Sequence, residues 1–176
     1  MSNIISYKGK IHFDPDNKTN KHESQASWKK IALIMIPGEV CEYYSWFLEK
    51  RYDIILNKPL RGAHISFIND SVADIQKGCS LVNQEDVHFI WDSLKKKYDN
   101  TEIEVILDLD PRSDGNHWWL NIPQDERTTI HGIRAEIGLG RPFFGLHMSI
   151  GYANEKNKAH SEYILRLLTN FDKNFY

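Results

Sequence analysis

The sequence predicts an α+β domain of two pseudo-symmetric lobes, each a small, mainly antiparallel sheet with helices on its outer face. Three observations predict it. Apolar residues recur at helical spacing in four segments, and short β-branched or alternating runs lie between them. Two strand-like stretches, GAHISFIN at 62–69 and GLHMSIGY at 145–152, each carry a glycine, an apolar residue, a histidine, an apolar residue and a serine in the same order. Two Ile-Pro pairs, at Ile36 and Ile122, lie 86 residues apart, close to the 83 that separate His64 from His147.

The elements follow in order. Residues 1–28 are polar and weakly patterned, and DPDNKTNKHESQ reads as an exposed loop, so a flexible N-terminal segment is expected before one bilobal domain at 29–176. KKIALIMIP (29–37) is a continuous aliphatic run stopped by Pro37, a strand. GEVCEYYSWFLEKRY (38–52) sets Val40, Tyr43, Tyr44, Phe47 and Leu48 at helical spacing. GAHISFI is the next strand, and 83–100 the next helix, with Val87, Ile90, Trp91 and Leu94 on one face and Asn83 as its cap. TEIEVILDLD (101–110) and NHWWLNIP (116–123), either side of a turn-rich PRSDGN, look like hairpin partners. The order then repeats: a strand ending in Ile-Pro, a helix at 124–138, a His-x-Ser strand, and a helix at 156–171.

Composition narrows the function. With 176 residues, 41% hydrophobic and 26% charged, the chain has the size and make-up of one globular domain. A formal net charge of -2 argues against an electrostatic grip on long nucleic acid. Cys41 and Cys79 are too few for a disulfide framework or a cysteine zinc site. LDLDPRSDGN departs from a calcium loop at Arg112 and Ser113, FDPDNKTNKHE departs at Lys18, His117 and His131 are isolated along the chain, and His88 reads as a surface residue of its helix. No metal or cofactor is expected. The start has no signal-peptide pattern and no apolar run is long enough for a membrane span, so a cytoplasmic protein is expected, with a monomer as its state.

Side chains two apart on a strand point the same way. His64 and Ser66 therefore share one face of their strand, and His147 and Ser149 one face of theirs, while Ile65, Phe67, Leu146, Met148 and Ile150 turn to the helices. If the halves are related by a pseudo-twofold axis, the two polar faces meet across a central cleft. An imidazole titrating near pH 6.5 serves as base or acid close to neutrality. Two of them on opposite sides of a phosphate can deprotonate a nucleophile and protonate a leaving oxygen, and the two hydroxyls can donate to the non-bridging oxygens. In HWWLNIP, Trp118 alternates with Leu120 and Ile122 toward the helices, which leaves Trp119 on the cleft side as a platform for a base. Arg61, three residues before His64, is the candidate phosphate-neutralising cation.

Paired His-x-Ser strands in two repeated lobes resemble the two-histidine (2H) phosphoesterase superfamily over about residues 29–171. More narrowly, YYSWFLEKRYDIILNKPLRGAHISFI, NHWWLNIP and GIRAEIGLGRPFFGLHMSIGYAN look similar to the phage anti-CBASS nucleases. The resemblance implies a metal-independent enzyme that opens cyclic di- and trinucleotide immune signals in the host cytoplasm, with His64, Ser66, His147 and Ser149 forming the site. It further implies attack by a ribose 2′-hydroxyl on its adjacent phosphodiester, giving a linear product with a 2′,3′-cyclic phosphate end. Serine stands here where that family mostly has threonine, which keeps the donor and loses a methyl group. The alternatives are a 2′,3′-cyclic phosphodiesterase or RNA end-processing relative, and a protein that sequesters a nucleotide without turnover.

Overall fold

All strand pairs among the described residues are antiparallel and join into one eight-stranded sheet. The computed structural model describes residues 3–15, 30–68, 84–123, 128–142 and 145–173. Its strands are β1 (Ile4–Phe13), β2 (Ala32–Met35), β3 (Leu56–Asn57), β4 (His64–Ile68), β5 (Glu102–Asp108), β6 (Arg112–Ser113), β7 (His117–Asn121) and β8 (His147–Ala153). They run in the order β5-β1-β2-β4-β8-β7-β6, with β3 also paired to β8. The helices are α1 (Glu39–Tyr52), α2 (Gln84–Tyr98), α3 (Thr128–Glu136) and α4 (Lys158–Lys173).

Alternation sorts the strands into two faces. Ile11, Phe13, Ile34, Ile65, Phe67, Val105, Leu107, Trp118, Leu120, Met148 and Ile150 are buried in one core cluster with Val40, Tyr44 and Leu48 of α1, Trp91 and Leu94 of α2, and Ile130 and Ile133 of α3. Each such side chain contributes roughly 1.5–3 kcal/mol of transfer free energy. Polar tips inside the core find partners: the Trp118 indole donates to Ser161 Oγ of α4 at 2.9 Å, and the Trp91 indole to the Asp14 carboxylate. The helices cross over. The Cys41 thiol of α1, which follows β2, donates to the Ser149 carbonyl of β8 at 3.3 Å, and Arg134 of α3, which follows β7, donates to the Phe67 carbonyl of β4. Burial pushes the Cys41 thiol up to about 11, so it stays protonated as a donor.

Four expectations are corrected. Residues 4–13, expected to lie in a flexible N-terminal segment, form a ten-residue strand. IISYKGKIHF alternates Ile5, Tyr7, Gly9, Ile11 and Phe13 on the core face with Ser6, Lys8, Lys10 and His12 on the other, a period of two that a polar composition hides. DPDNKTNKHESQ beyond Pro15 lies outside the described residues, as do Lys18, Cys79 and Asn83, and the side chains of Val87 and His88. β5 and β7 are not a hairpin: β5 pairs along β1, from Ile4↔Asp108 to Lys10↔Glu102, and β7 pairs with β6. Around the Pro111 break, Asp108 accepts the Asp110 N–H and Asp114 the N–H groups of Asn116 and His117, so the connection folds as carboxylate-capped turns. The sheet is continuous, where two small sheets were expected. Tyr43, expected on the buried stripe of α1, is 56% exposed, because Val40, Tyr44 and Leu48 already fill the i, i+4 row.

Candidate active site

Two turns closed by like hydrogen bonds precede the two motifs. In Pro59–Gly62 the Gly62 N–H donates to the Pro59 carbonyl at 3.1 Å, and in 142–145 the Gly145 N–H donates to the Pro142 carbonyl at 3.1 Å. Both glycines hold φ at +71°, a left-handed conformation that any residue with a Cβ adopts at a cost. That conformation turns each glycine carbonyl back toward the histidine two residues on. His64 Nδ1 lies 2.8 Å from the Gly62 oxygen, and His147 Nδ1 lies 3.3 Å from the Gly145 oxygen. A carbonyl only accepts, so Nδ1 carries the proton and the neutral imidazole keeps its lone pair on Nε2. The residues just before the histidines match as well. Ile36 N–H donates to the Ala63 carbonyl at 3.1 Å, and Ile122 N–H to the Leu146 carbonyl at 3.2 Å.

The strands then set the motifs side by side. Ile65 of β4 pairs with Met148 of β8, both fully buried on the core face. In an antiparallel pair this register sets His64 beside Ser149 and Ser66 beside His147, all four half-buried on the opposite face. The motifs therefore occupy neighbouring central strands of one sheet and run in opposite directions. On the outer flanks, Met35 pairs with His64 and Leu33 with Ser66, while Asn121 pairs with His147 and Trp119 with Ser149.

An aromatic and imidazole cluster closes the β8 side. Trp119, half-buried, donates its indole N–H to Asn121 Oδ1 at 3.0 Å and lies 6.1 Å, centroid to centroid, from His147. His117, expected to be isolated, stands 5.5 Å from the His147 ring, and its Nε2 lies 2.9 Å from Ser149 Oγ. Tyr152 stacks on His117 at 4.6 Å with the planes 13° apart. Tyr152 reaches this face because the β7–β8 register slips between Trp118 and Trp119, leaving Ile150 as an extra residue in β8. Gly151 at the slip is where β3 comes close: a Cβ there would sit 2.6 Å from the Asn57 carbonyl oxygen.

Burial pushes the His147 pKa below the ordinary imidazole value, partly offset by its bond to Gly145, so the ring is neutral near pH 7. Arg61 sits half-buried in the first turn, and burial lowers its pKa without removing its charge. Among the described residues, no group of three or more His, Cys, Asp or Glu is placed to hold a metal ion. No helix among them is long and apolar enough to cross a membrane. A cavity of about 620 Å³ lined by Tyr7, Tyr43, Tyr44 and Phe47 lies on the helix-covered side of the sheet, away from the motifs.

The structure thus brings together His64, Ser66, His147, Ser149 and Trp119, and sets Arg61 in the turn that leads into β4. Sequence reasoning missed Gly62, Gly145 and Tyr152, and it set His117 on the cleft side with Trp119 and Asn121 without its contact to Ser149. The glycines had a signal, since the 83-residue offset of the histidines also relates Pro59 to Pro142 and Gly62 to Gly145. His117 shares the alternation of Trp119. Tyr152 had no signal, because a register slip is not visible in a residue pattern. Comparison with protein-family models, curated proteins and solved structures returns no significant match.

Proposed function

We propose that the protein is a metal-independent phosphodiesterase of the two-histidine type that cleaves 3′,5′ linkages of cyclic di- and trinucleotides, as a phage-encoded evader of CBASS defence in the host cytoplasm would. The observation that carries this reading is the pairing of two like-built histidines on adjacent antiparallel strands, each with Nδ1 held by a glycine carbonyl and each beside the other motif's serine. Matched turns, matched Ile-Pro bonds and crossed helices support a pseudo-twofold relation between the halves.

In this scheme the substrate's 2′-hydroxyl attacks the adjacent phosphorus. His147, kept neutral by burial, takes the hydroxyl proton on Nε2, and His64, entering as imidazolium, gives a proton to the departing 5′-oxygen. One P–O bond forms and one breaks, leaving a 2′,3′-cyclic phosphate and a free 5′-hydroxyl. Ser66 and Ser149 donate to the non-bridging oxygens, where negative charge is concentrated. The nucleophile belongs to the substrate, and such proximity is worth roughly 7–11 kcal/mol when the geometry is right. Trp119 offers a half-buried ring for a base, and Arg61 supplies positive charge at the edge.

Mass-spectrometric analysis of products from a panel of cyclic di- and trinucleotides and a 2′,3′-cyclic mononucleotide, with EDTA present, tests it. Linear products with a 2′,3′-cyclic phosphate end are expected. Cleavage of the mononucleotide alone would move the protein to the 2′,3′-cyclic phosphodiesterases, and ligands recovered intact yet bound would make it a sequestering protein.

A further inference from the structure

We infer that His117 is a positioning residue for Ser149: its Nε2–H donates to Ser149 Oγ and leaves the hydroxyl proton aimed at the bound phosphate. The inference rests on the two-histidine reading for what the hydroxyl does. The 2.9 Å contact joins neighbouring strands through two side chains of the face that carries His147. A serine hydroxyl has one proton and two acceptor lone pairs. If Nε2 accepted, that proton would be spent on the imidazole and none would face a phosphate oxygen. With Nε2–H as donor, the imidazole occupies a lone pair and fixes the C–O rotor, and the proton is presented to the anion.

The ring is held for this task by its neighbours. Tyr152 stacks on it at 4.6 Å, Trp119 lies against it at 5.1 Å, and the His117 N–H donates to Asp114 Oδ1 at 2.7 Å, which pins the start of β7. The matching position of the first half carries no histidine. The 86-residue offset that relates Ile122 to Ile36 puts Ile31 at the position matching His117, and Ile31 has no hydrogen-bonding side chain. The two halves therefore differ at this position, with a histidine beside Ser149 and an isoleucine at the matching place of the first half.

Histidine-selective ¹⁵N NMR of the full chain, with His117 assigned by comparison with His117→Asn, reads the tautomer directly. A proton on Nε2 is expected, and an unprotonated Nε2 beside Ser149 overturns the inference whether or not any substrate is cleaved. On a substrate the wild type turns over, His117→Ala should lower kcat about tenfold to a hundredfold with little change in KM, less than the roughly 10²–10³-fold cost of removing a donor outright. His117→Gln, which retains an N–H donor, should recover most of that rate. His117→Ala added to Ser149→Ala should cost nothing more. A His117→Ala enzyme at wild-type kcat, or a double variant slower by the product of the two single effects, contradicts the inference while leaving the His64 and His147 scheme intact. A wild type inert on every phosphodiester defeats that scheme instead, and the tautomer then decides the His117 to Ser149 donation alone.

Discussion

Among the described residues, Ile65 and Met148 are the one residue pair through which β4 and β8 register, and that pairing sets both His-x-Ser motifs on the same face in opposite directions. Each histidine thereby neighbours the other motif's serine. The buried pair has no chemical role of its own and works by fixing the alternation on the far side of the sheet.

The pH dependence of turnover should reflect His147 as base. A base acts when deprotonated, and burial holds the His147 pKa below the usual imidazole value, so kcat/KM should fall on the acid side with a midpoint below about 6.5. The groups facing it are Ser66 on β4 and His117, Trp119 and Asn121 on β7. The same shift links to stability. A depressed folded pKa means that the unfolded chain binds the proton first, so stability is lost as pH falls from the unfolded value through the folded one. Denaturant titrations between pH 7.5 and pH 5 should show a shallower loss for His147→Asn than for wild type. An acid midpoint above the ordinary imidazole value would reverse the base assignment.

Gly62→Ala isolates the turn. A Cβ at Gly62 would meet nothing within 4 Å, so its cost is the left-handed backbone alone, about 1–2 kcal/mol in urea unfolding. Relaxation of φ also swings the Gly62 carbonyl off His64 Nδ1, and kcat should drop at least tenfold. An alanine variant with unchanged kcat and unchanged stability would show that the turn does not hold the ring.

Ser161→Ala separates fold from chemistry. Ser161 is fully buried and accepts the Trp118 indole N–H, and its loss leaves that donor unsatisfied at a cost of about 1–3 kcal/mol. Thermal unfolding should move down while kcat at 25 °C stays put, because Trp118 points away from the motif face. A large fall in kcat with unchanged stability would mean that the two faces of β7 are coupled.

Trp119→Ala should weaken ligand binding by about 1–3 kcal/mol, the worth of one stacked base. Measuring Kd on a His64→Ala background, where the cyclic nucleotide is not consumed, keeps binding apart from turnover. Unchanged affinity would assign Trp119 to packing against His117 and His147 instead.

Much of this was legible in the residues, and the rest was not for physical reasons. Alternation in AHISF, LHMSI and HWWLN separated the motif face from the core face, and placed Trp118 inward and Trp119 outward as the structure has them. Pairing partners were not legible, because β5 finds β1 across the chain and local patterning is blind to that closure. β1 escaped notice because its outward Ser6, Lys8, Lys10 and His12 outweigh in composition the alternation that defines it. The turn of Tyr152 onto the site depends on the extra residue at Ile150, a feature of register rather than of sequence.

The most direct measurement of the central claim is turnover of a cyclic oligonucleotide by wild type, His64→Ala and His147→Ala in EDTA, with products identified by mass spectrometry and folding checked by circular dichroism. General acid and base groups are each worth about 10²–10⁴-fold. Both variants are expected to stay folded and to lose at least a hundredfold, with the wild type giving linear 2′,3′-cyclic phosphate ends. Near wild-type turnover in either folded variant would contradict the account.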